Sequence, residues 1–149
     1  MIVRDLETTK RKWAEFLGVD VPETQPVGDY AVTGTVFRGQ PAPEAGCLMA
    51  FFDVGPGLQL ELIQPNEAPS TWRNFLEEHG EGMHHIAFQV KDSAARVADA
   101  EKQGLKLVQH GVYGDGSGEY NYLDAPDLKC IVELLESYGP SCANPDGMV

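Results

Sequence analysis

The stretch Gly82-Met83-His84-His85-Ile86-Ala87-Phe88-Gln89-Val90-Lys91-Asp92 carries two local signals in a row. Met83 to Val90 is an unbroken run with aromatic and β-branched residues and no Gly or Pro, which predicts a strand. Asp92 is a good helix N-cap, and Gly104 stops the helix that it opens. The start of the chain has the same order. Val3-Arg4-Asp5 matches Val90-Lys91-Asp92 at an offset of 87 residues (90 − 3), and Leu6, Trp13, Phe16 and Leu17 recur at helical spacing until Gly18. From capping Asp to stopping Gly is 13 residues in the first copy (18 − 5) and 12 in the second (104 − 92).

Strand-like runs follow each helix. In the first copy they lie near Ala31 to Arg38, Cys47 to Val54 and Leu58 to Gln64, after a loop over Val19 to Gly28, with Gly55-Pro56-Gly57 as a turn. In the second they lie near Leu105 to Gln109, Glu119 to Asp124 and Lys129 to Leu135. The Gly-rich loop Val112 to Gly118 between the first two of these reads as mobile. Each copy closes with a Pro-containing turn and a leucine-rich strand holding one Glu, Pro56 to Glu61 and Pro126 to Glu133. Between the copies, Ser70 caps a helix with Trp72, Phe75, Leu76 and His79 on one face. The period predicts an α+β protein of two βαβββ modules. One domain is expected over 1–136, with modules at 1–65 and 83–136, a linking helix at 69–79, and an irregular tail at 137–149.

The 42% hydrophobic content suits a globular protein. The formal net charge is −12, from 23 Asp+Glu against 11 Lys+Arg. Such a surface repels phosphate backbones and no basic stripe opposes it, so nucleic acid is not an expected partner. No apolar run is long enough to cross a bilayer and no charged-then-apolar leader opens the chain, so no membrane partner is expected. Cys47, Cys130 and Cys142 form no CxxC pair and read as reduced thiols, which points to the cytoplasm.

Strand alternation sorts the polar candidates. In Met83 to Val90 the apolar face carries His84, Ile86, Phe88 and Val90 and belongs beneath the helices. His84 reads there as a packed histidine, and His85 points to the opposite face, above the small Ala87. Glu61 lies opposite Leu58, Leu60 and Leu62; Glu133 shares a face with Ile131 and Leu135. A buried carboxylate in apolar company costs several kcal/mol unless a cation or proton offsets it, roughly speaking. One imidazole and two carboxylates on the non-helical faces of three strands suit a divalent ion with mixed nitrogen and oxygen ligands. The bland alternatives are a half-exposed strand histidine and edge-strand charges facing water.

Val3-Arg4-Asp5-Leu6-Glu7, Leu60-Glu61-Leu62-Ile63-Gln64-Pro65, Gly82-Met83-His84-His85-Ile86-Ala87-Phe88 and Ile131-Val132-Glu133-Leu134 together resemble the glyoxalase, bleomycin-resistance and extradiol-dioxygenase superfamily, the vicinal oxygen chelate proteins. Methylmalonyl-CoA epimerases are the nearest match within it. The resemblance implies an incompletely closed, barrel-like sheet around a cleft, a homodimer, and a divalent ion (Zn, Ni, Co or Mn ahead of Fe) held by Glu61, His85 and Glu133. It also implies a His that opens the first strand, which the offset puts at 85 − 87 = −2. Either the first strand begins upstream of Met1, which is the favoured expectation, or three side chains and more water hold the ion, or the site is degraded. A second catalytic Glu is implied near Leu48, yet no carboxylate lies between Cys47 and Phe52. The turn Asp124-Ala125-Pro126-Asp127-Leu128 is also poorer in Gly, Ser and Thr than the epimerase pattern.

The implied function is a metal-dependent isomerase or lyase that removes a proton α to a carbonyl from a small molecule with neighbouring oxygens, methylmalonyl-CoA epimerase-like, with Glu133 as ligand and base. A glyoxalase-I-like lactoylglutathione lyase is the runner-up. An extradiol dioxygenase and a non-catalytic small-molecule-binding resistance protein are the remaining alternatives. Tyr113, Tyr120 and Tyr122 are candidates to line the substrate pocket, with strand packing the simpler account for two of them.

Overall fold

The computed structural model describes residues 1–139. Cys142 and the tail beyond residue 139 lie outside the described residues. Asp5 caps α1 (Leu6–Leu17), its carboxylate accepting from the Thr8 N–H at 2.9 Å, and Gly18 ends the helix in the left-handed region at φ 70°. Leu6 and Ala14 bury against Ala50, Phe52 and Leu62.

The strand expected over 31–38 does not form as one piece. β1 (Gln25–Pro26) is followed by a single helical turn, α2 (Tyr30–Thr33), and then by the short strands β2 (Val36–Phe37) and β3 (Gln40–Pro41). Two local signals outweigh the β-branched residues here. Asp29 accepts from the Ala31 N–H at 2.8 Å, and Gly34 takes φ 52°, so a cap and a stop bracket Tyr30–Thr33.

β4 (Cys47–Gly55) and β5 (Leu58–Pro65) form an antiparallel hairpin, and with β1 they make a three-stranded sheet ordered β1-β4-β5. α3 (Thr71–His79) links to β6 (His85–Gln89), α4 (Ser93–Lys102), β7 (Lys106–Val112), β8 (Gly118–Ala125) and β9 (Cys130–Ser137). The second sheet is ordered β3-β2-β7-β8-β9-β6, so β2 and β3 from the first half pair into it. The two sheets do not close into a barrel, in keeping with the incompletely closed arrangement expected.

The duplication is visible in register. Ile2 bridges Ile63 in parallel, with Val3 N donating to the Ile63 carbonyl at 2.9 Å. Adding the repeat offset to Ile2 gives 89 (2 + 87). Adding the spacing of the two strand glutamates to Ile63 gives 135 (63 + 72, where 72 = 133 − 61). Gln89↔Leu135 is an observed pair of the parallel β6–β9 ladder. Residues 1–3 thus occupy, in the first half, the place that β6 occupies in the second.

Each sheet carries a helix on its outer face. α1 covers β4 and β5, while α4 places Val97 on Leu123 and Leu134. Ile86 and Phe88, expected beneath the helices, are about half exposed (49% and 48%), because α4 lies over β7, β8 and β9 rather than β6. A third cluster joins the sheets: Ile2, Cys47 and Ile63 from one side, Tyr120 and Tyr122 from the other, with Trp72 and Leu76 of α3 wedged between. Among the described residues no helix is long and apolar enough to cross a membrane.

Candidate metal centre

Glu61 stands mid-strand on β5, His85 opens β6 and Glu133 stands mid-strand on β9. The β6–β9 register pairs His85 with Ile131 and Ala87 with Glu133, so His85 and Glu133 project from the same face one step apart. The β5 alternation turns Glu61 toward them from the other sheet. All three line a cleft of about 960 Å³ between the sheets. His85 Nε2 lies 3.2 Å from Glu61 Oε2 and 3.2 Å from Glu133 Oε2, and one donor atom from each residue falls within 4.8 Å of the others. The three side chains proposed from strand alternation therefore converge.

The two 3.2 Å separations suit a shared ion. Two donors each about 2.1 Å from one cation stand about 3.0 Å apart at a right angle and about 3.4 Å apart at the tetrahedral angle, taking usual Zn–N and Zn–O lengths. The electrostatics point the same way. Among the described residues Glu61, Asp115 and Glu133 line the cleft and no Lys or Arg does. Burial pushes the Glu133 carboxyl up to about 7, with the neighbouring Glu61 charge adding to the effect and His85 and Tyr122 opposing it. Two carboxylates and an imidazole, mostly shielded from water, match a divalent ion in charge and in donor type.

The surroundings hold this set in place. Tyr122 is the cross-strand partner of Glu133, and Trp72 Nε1 donates to the Tyr122 hydroxyl at 3.1 Å, leaving the phenol proton free to face Glu133. Burial raises the proton affinity of both Tyr120, to about 12, and Tyr122, so both are neutral phenols. Tyr113, Tyr120 and Tyr122 all line the cleft; Tyr120 and Tyr122 are also core residues, so packing and lining are one role for them. Tyr113 lies against Gly118, where a Cβ would run into the Tyr113 ring. The Gly-rich loop is packed closely as well, since a Cβ on Gly114 would stand 2.7 Å from the Val27 carbonyl oxygen.

Two sequence expectations change. Leu48 faces away from the cleft, and the β4 residues that line it are Met49 and Phe51, with Phe51 directly opposite Glu61. The strand alternates from the buried Cys47, which puts odd-numbered residues inward. No β4 carboxylate reaches the cleft; Asp53, exposed near the strand end, accepts from Gln59 Nε2 at 3.3 Å. The second change concerns His84. It is buried as expected, but its Nδ1 stands 2.9 Å from His85 Nδ1, a contact that face alternation does not foresee. Trp72, Met49 and Phe51 were also missed as cleft residues, because an aromatic on a helix face and apolar strand residues read as ordinary packing.

The profile of the Glyoxalase/Bleomycin resistance protein/Dioxygenase superfamily matches residues 1–122. YqjC of Bacillus subtilis is 38% identical over 93 residues, 61% of this chain and 66% of that protein. An ethylmalonyl-CoA/methylmalonyl-CoA epimerase of Cereibacter sphaeroides is 26% identical over 136 residues, 89% of this chain and 90% of that one. The chain spans about half the length of the mouse and human mitochondrial methylmalonyl-CoA epimerases that it matches. Among solved structures, the Streptomyces coelicolor methylmalonyl-CoA epimerase in complex with 2-nitronate-propionyl-CoA superposes with a TM-score of 0.62 at 23% identity, covering 93% of each chain. With its duplicated modules, its cleft and its sequence profile in agreement, the chain belongs to the glyoxalase/bleomycin resistance protein/dioxygenase superfamily.

Proposed function

We propose that the chain is a divalent-metal-dependent isomerase or lyase whose reaction begins with removal of a proton α to a carbonyl, and that a methylmalonyl-CoA-like acyl thioester is its substrate class. Glu61, His85 and Glu133 would hold the ion, with Zn, Ni, Co or Mn suiting this donor set better than Fe. When bound there, the ion would stabilise negative charge on the substrate carbonyl oxygen. Glu133 is the base. The convergence of Glu61, His85 and Glu133 on one point of the cleft is the observation that carries the reading, because it sets the Glu133 carboxylate beside both the ion and the substrate carbon. Tyr122, the cross-strand partner of Glu133, stands beside that carboxylate on the cleft side of the sheet. Met49, Phe51 and Trp72 give the cleft apolar walls that exclude water from the reacting carbon. The epimerases among the relatives favour the acyl-thioester substrate.

A second reading, a glyoxalase-I-like lactoylglutathione lyase, is favoured by one observation. Epimerisation needs proton delivery to the face opposite the base, and β4 presents Met49 and Phe51 there rather than an acid. A one-base proton transfer requires no such partner. Among the described residues the outer edge of β6 is unpaired and Ile86 and Phe88 are half exposed, which supports a homodimer, and Cys47 and Cys130 are unbridged, which supports a cytoplasmic location.

The test is proton exchange. The protein, loaded in turn with Zn, Ni, Co and Mn, is incubated in D₂O with methylmalonyl-CoA or with the glutathione hemithioacetal of methylglyoxal. Expected is deuterium at the α carbon of the thioester, lost on Glu133→Gln. Conversion of the hemithioacetal without exchange into the thioester would select the second reading. No turnover of either substrate with any of the four ions would sink both.

A further inference from the structure

We propose that His84 is a positioning residue for the candidate metal centre: its uncharged ring accepts the Nδ1 proton of His85 and so fixes Nε2 of His85 as the ligating atom. This rests on reading Glu61, His85 and Glu133 as ligands.

The two Nδ1 atoms stand 2.9 Å apart. A contact that short between ring nitrogens needs one proton between them, since two protons or none would place like partial charges face to face. Nε2 of His85 faces the two glutamates. A cation among the three side chains takes the lone pair of that atom, so the proton of a neutral His85 must sit on Nδ1. His84 Nδ1 is then the acceptor, and the proton of His84 is confined to its own Nε2.

That atom is where the arrangement shows its cost. His84 is 2% exposed, and among the described residues no acceptor meets its Nε2 in good hydrogen-bonding geometry. The ring is enclosed edge-to-face by Phe75 at 5.2 Å and by Tyr122 at 5.3 Å. A phenylalanine would fill this aromatic box without stranding a polar atom. What histidine adds at residue 84 is the acceptor aimed at His85. The contact is possible because the β6 ladder begins at His85, which leaves His84 just outside the pleat that would separate the two rings.

The choice of acceptor also fits the charge of the site. Two carboxylates balance a divalent ion. A third carboxylate behind His85 would leave the buried cluster negative, whereas an uncharged imidazole orients the ligand and adds no charge.

The experiment compares the full chain with His84→Phe, which keeps the ring shape, and His84→Asn, which keeps an acceptor oxygen near the position of Nδ1. Zn and Co affinities are measured by competition with a chromophoric chelator, and His85 is followed by long-range ¹H–¹⁵N NMR of the Zn form. Expected is an affinity loss of about 10- to 100-fold in His84→Phe, with most of it recovered in His84→Asn. The wild-type spectrum should show a protonated Nδ1 on His85 and a metal-shifted Nε2. Thermal melting of the metal-free proteins separates misfolding from loss of positioning. Should His84→Phe fail to fold, the wild-type spectrum and the His84→Asn affinity decide. Wild-type binding of Zn with unchanged affinity in His84→Phe overturns the proposal and leaves the ligand set standing, and so does a His85 that ligates through Nδ1. A wild-type protein that binds none of these ions overturns the ligand set and this inference together.

Discussion

Glu133 is a carboxylate placed where folding alone would not favour it. In the metal-free protein its proton affinity rises from 4.5 to about 7, chiefly by burial. A carboxyl whose folded value lies above its unfolded one binds more protons folded than unfolded. Its contribution to stability is complete below about pH 4.5 and is lost as pH rises through about 7. The metal-free protein should therefore melt at a lower temperature at pH 8 than at pH 6. Glu133→Gln should remove most of that slope and melt several degrees above wild type at pH 8, while losing metal affinity and turnover. Melting curves of both proteins at the two pH values check this, and a steeper slope in the variant would refute it. The same residue shows why the site was legible in sequence. A lone Glu between Ile131 and Leu135 on one strand face conflicts with burial, and that conflict marks it. The His84–His85 contact was not legible, because it depends on where the β6 ladder starts, a matter of pairing with β9 rather than of local pattern.

α3 is the element through which packing reaches the site. Ser70 accepts from the Arg73 N–H at 3.0 Å and is fully buried. The helix it starts delivers Trp72 to Tyr122 and Phe75 to His84. Ser70→Ala should cost about 1 kcal/mol through loss of the cap, or about 2–4 °C in melting temperature for a chain of this size. It should also weaken Zn binding, because two of its contacts steady Tyr122 and His84; an unchanged affinity beside a lowered melting temperature would show that α3 supports the fold and not the centre. Caps of this kind were readable from Asp5, Ser70 and Asp92 alone. The strand expected over 31–38 was not, since Asp29 and Gly34 bracket a helical turn, and β2 owes its existence to β7, some seventy residues away. Pairing partners that distant leave no imprint on a local window.

At the scale of the whole molecule, the duplicated sequence yields two sheets, and the candidate ligands are divided between them. Glu61 belongs to the three-stranded sheet; His85 and Glu133 belong to the six-stranded one. The period of 87 residues made this division foreseeable, whereas the transfer of β2 and β3 into the second sheet depends on pairing with β7 that no local pattern encodes. An ion among the three ligands would tie the sheets together and stabilise the folded chain by mass action, by about 2.7 kcal/mol at a free concentration 100 times Kd. That corresponds to a rise of roughly 5–11 °C in melting temperature. The formal charge of −12 complicates the measurement, since any dication associates with so acidic a surface. Ionic strength near 0.15 M screens such association beyond about 8 Å, and Mg at matched concentration serves as the control, because it favours oxygen ligands and retains its water. Zn or Co should raise the melting temperature of the wild type well beyond Mg, and Glu61→Gln should lose at least half of that excess although Glu61 sits in a different sheet from the other two ligands. Equal shifts in wild type and Glu61→Gln would mean that the ion binds the surface or one sheet alone, and that the two halves are joined by packing around Trp72 and not through a shared cation.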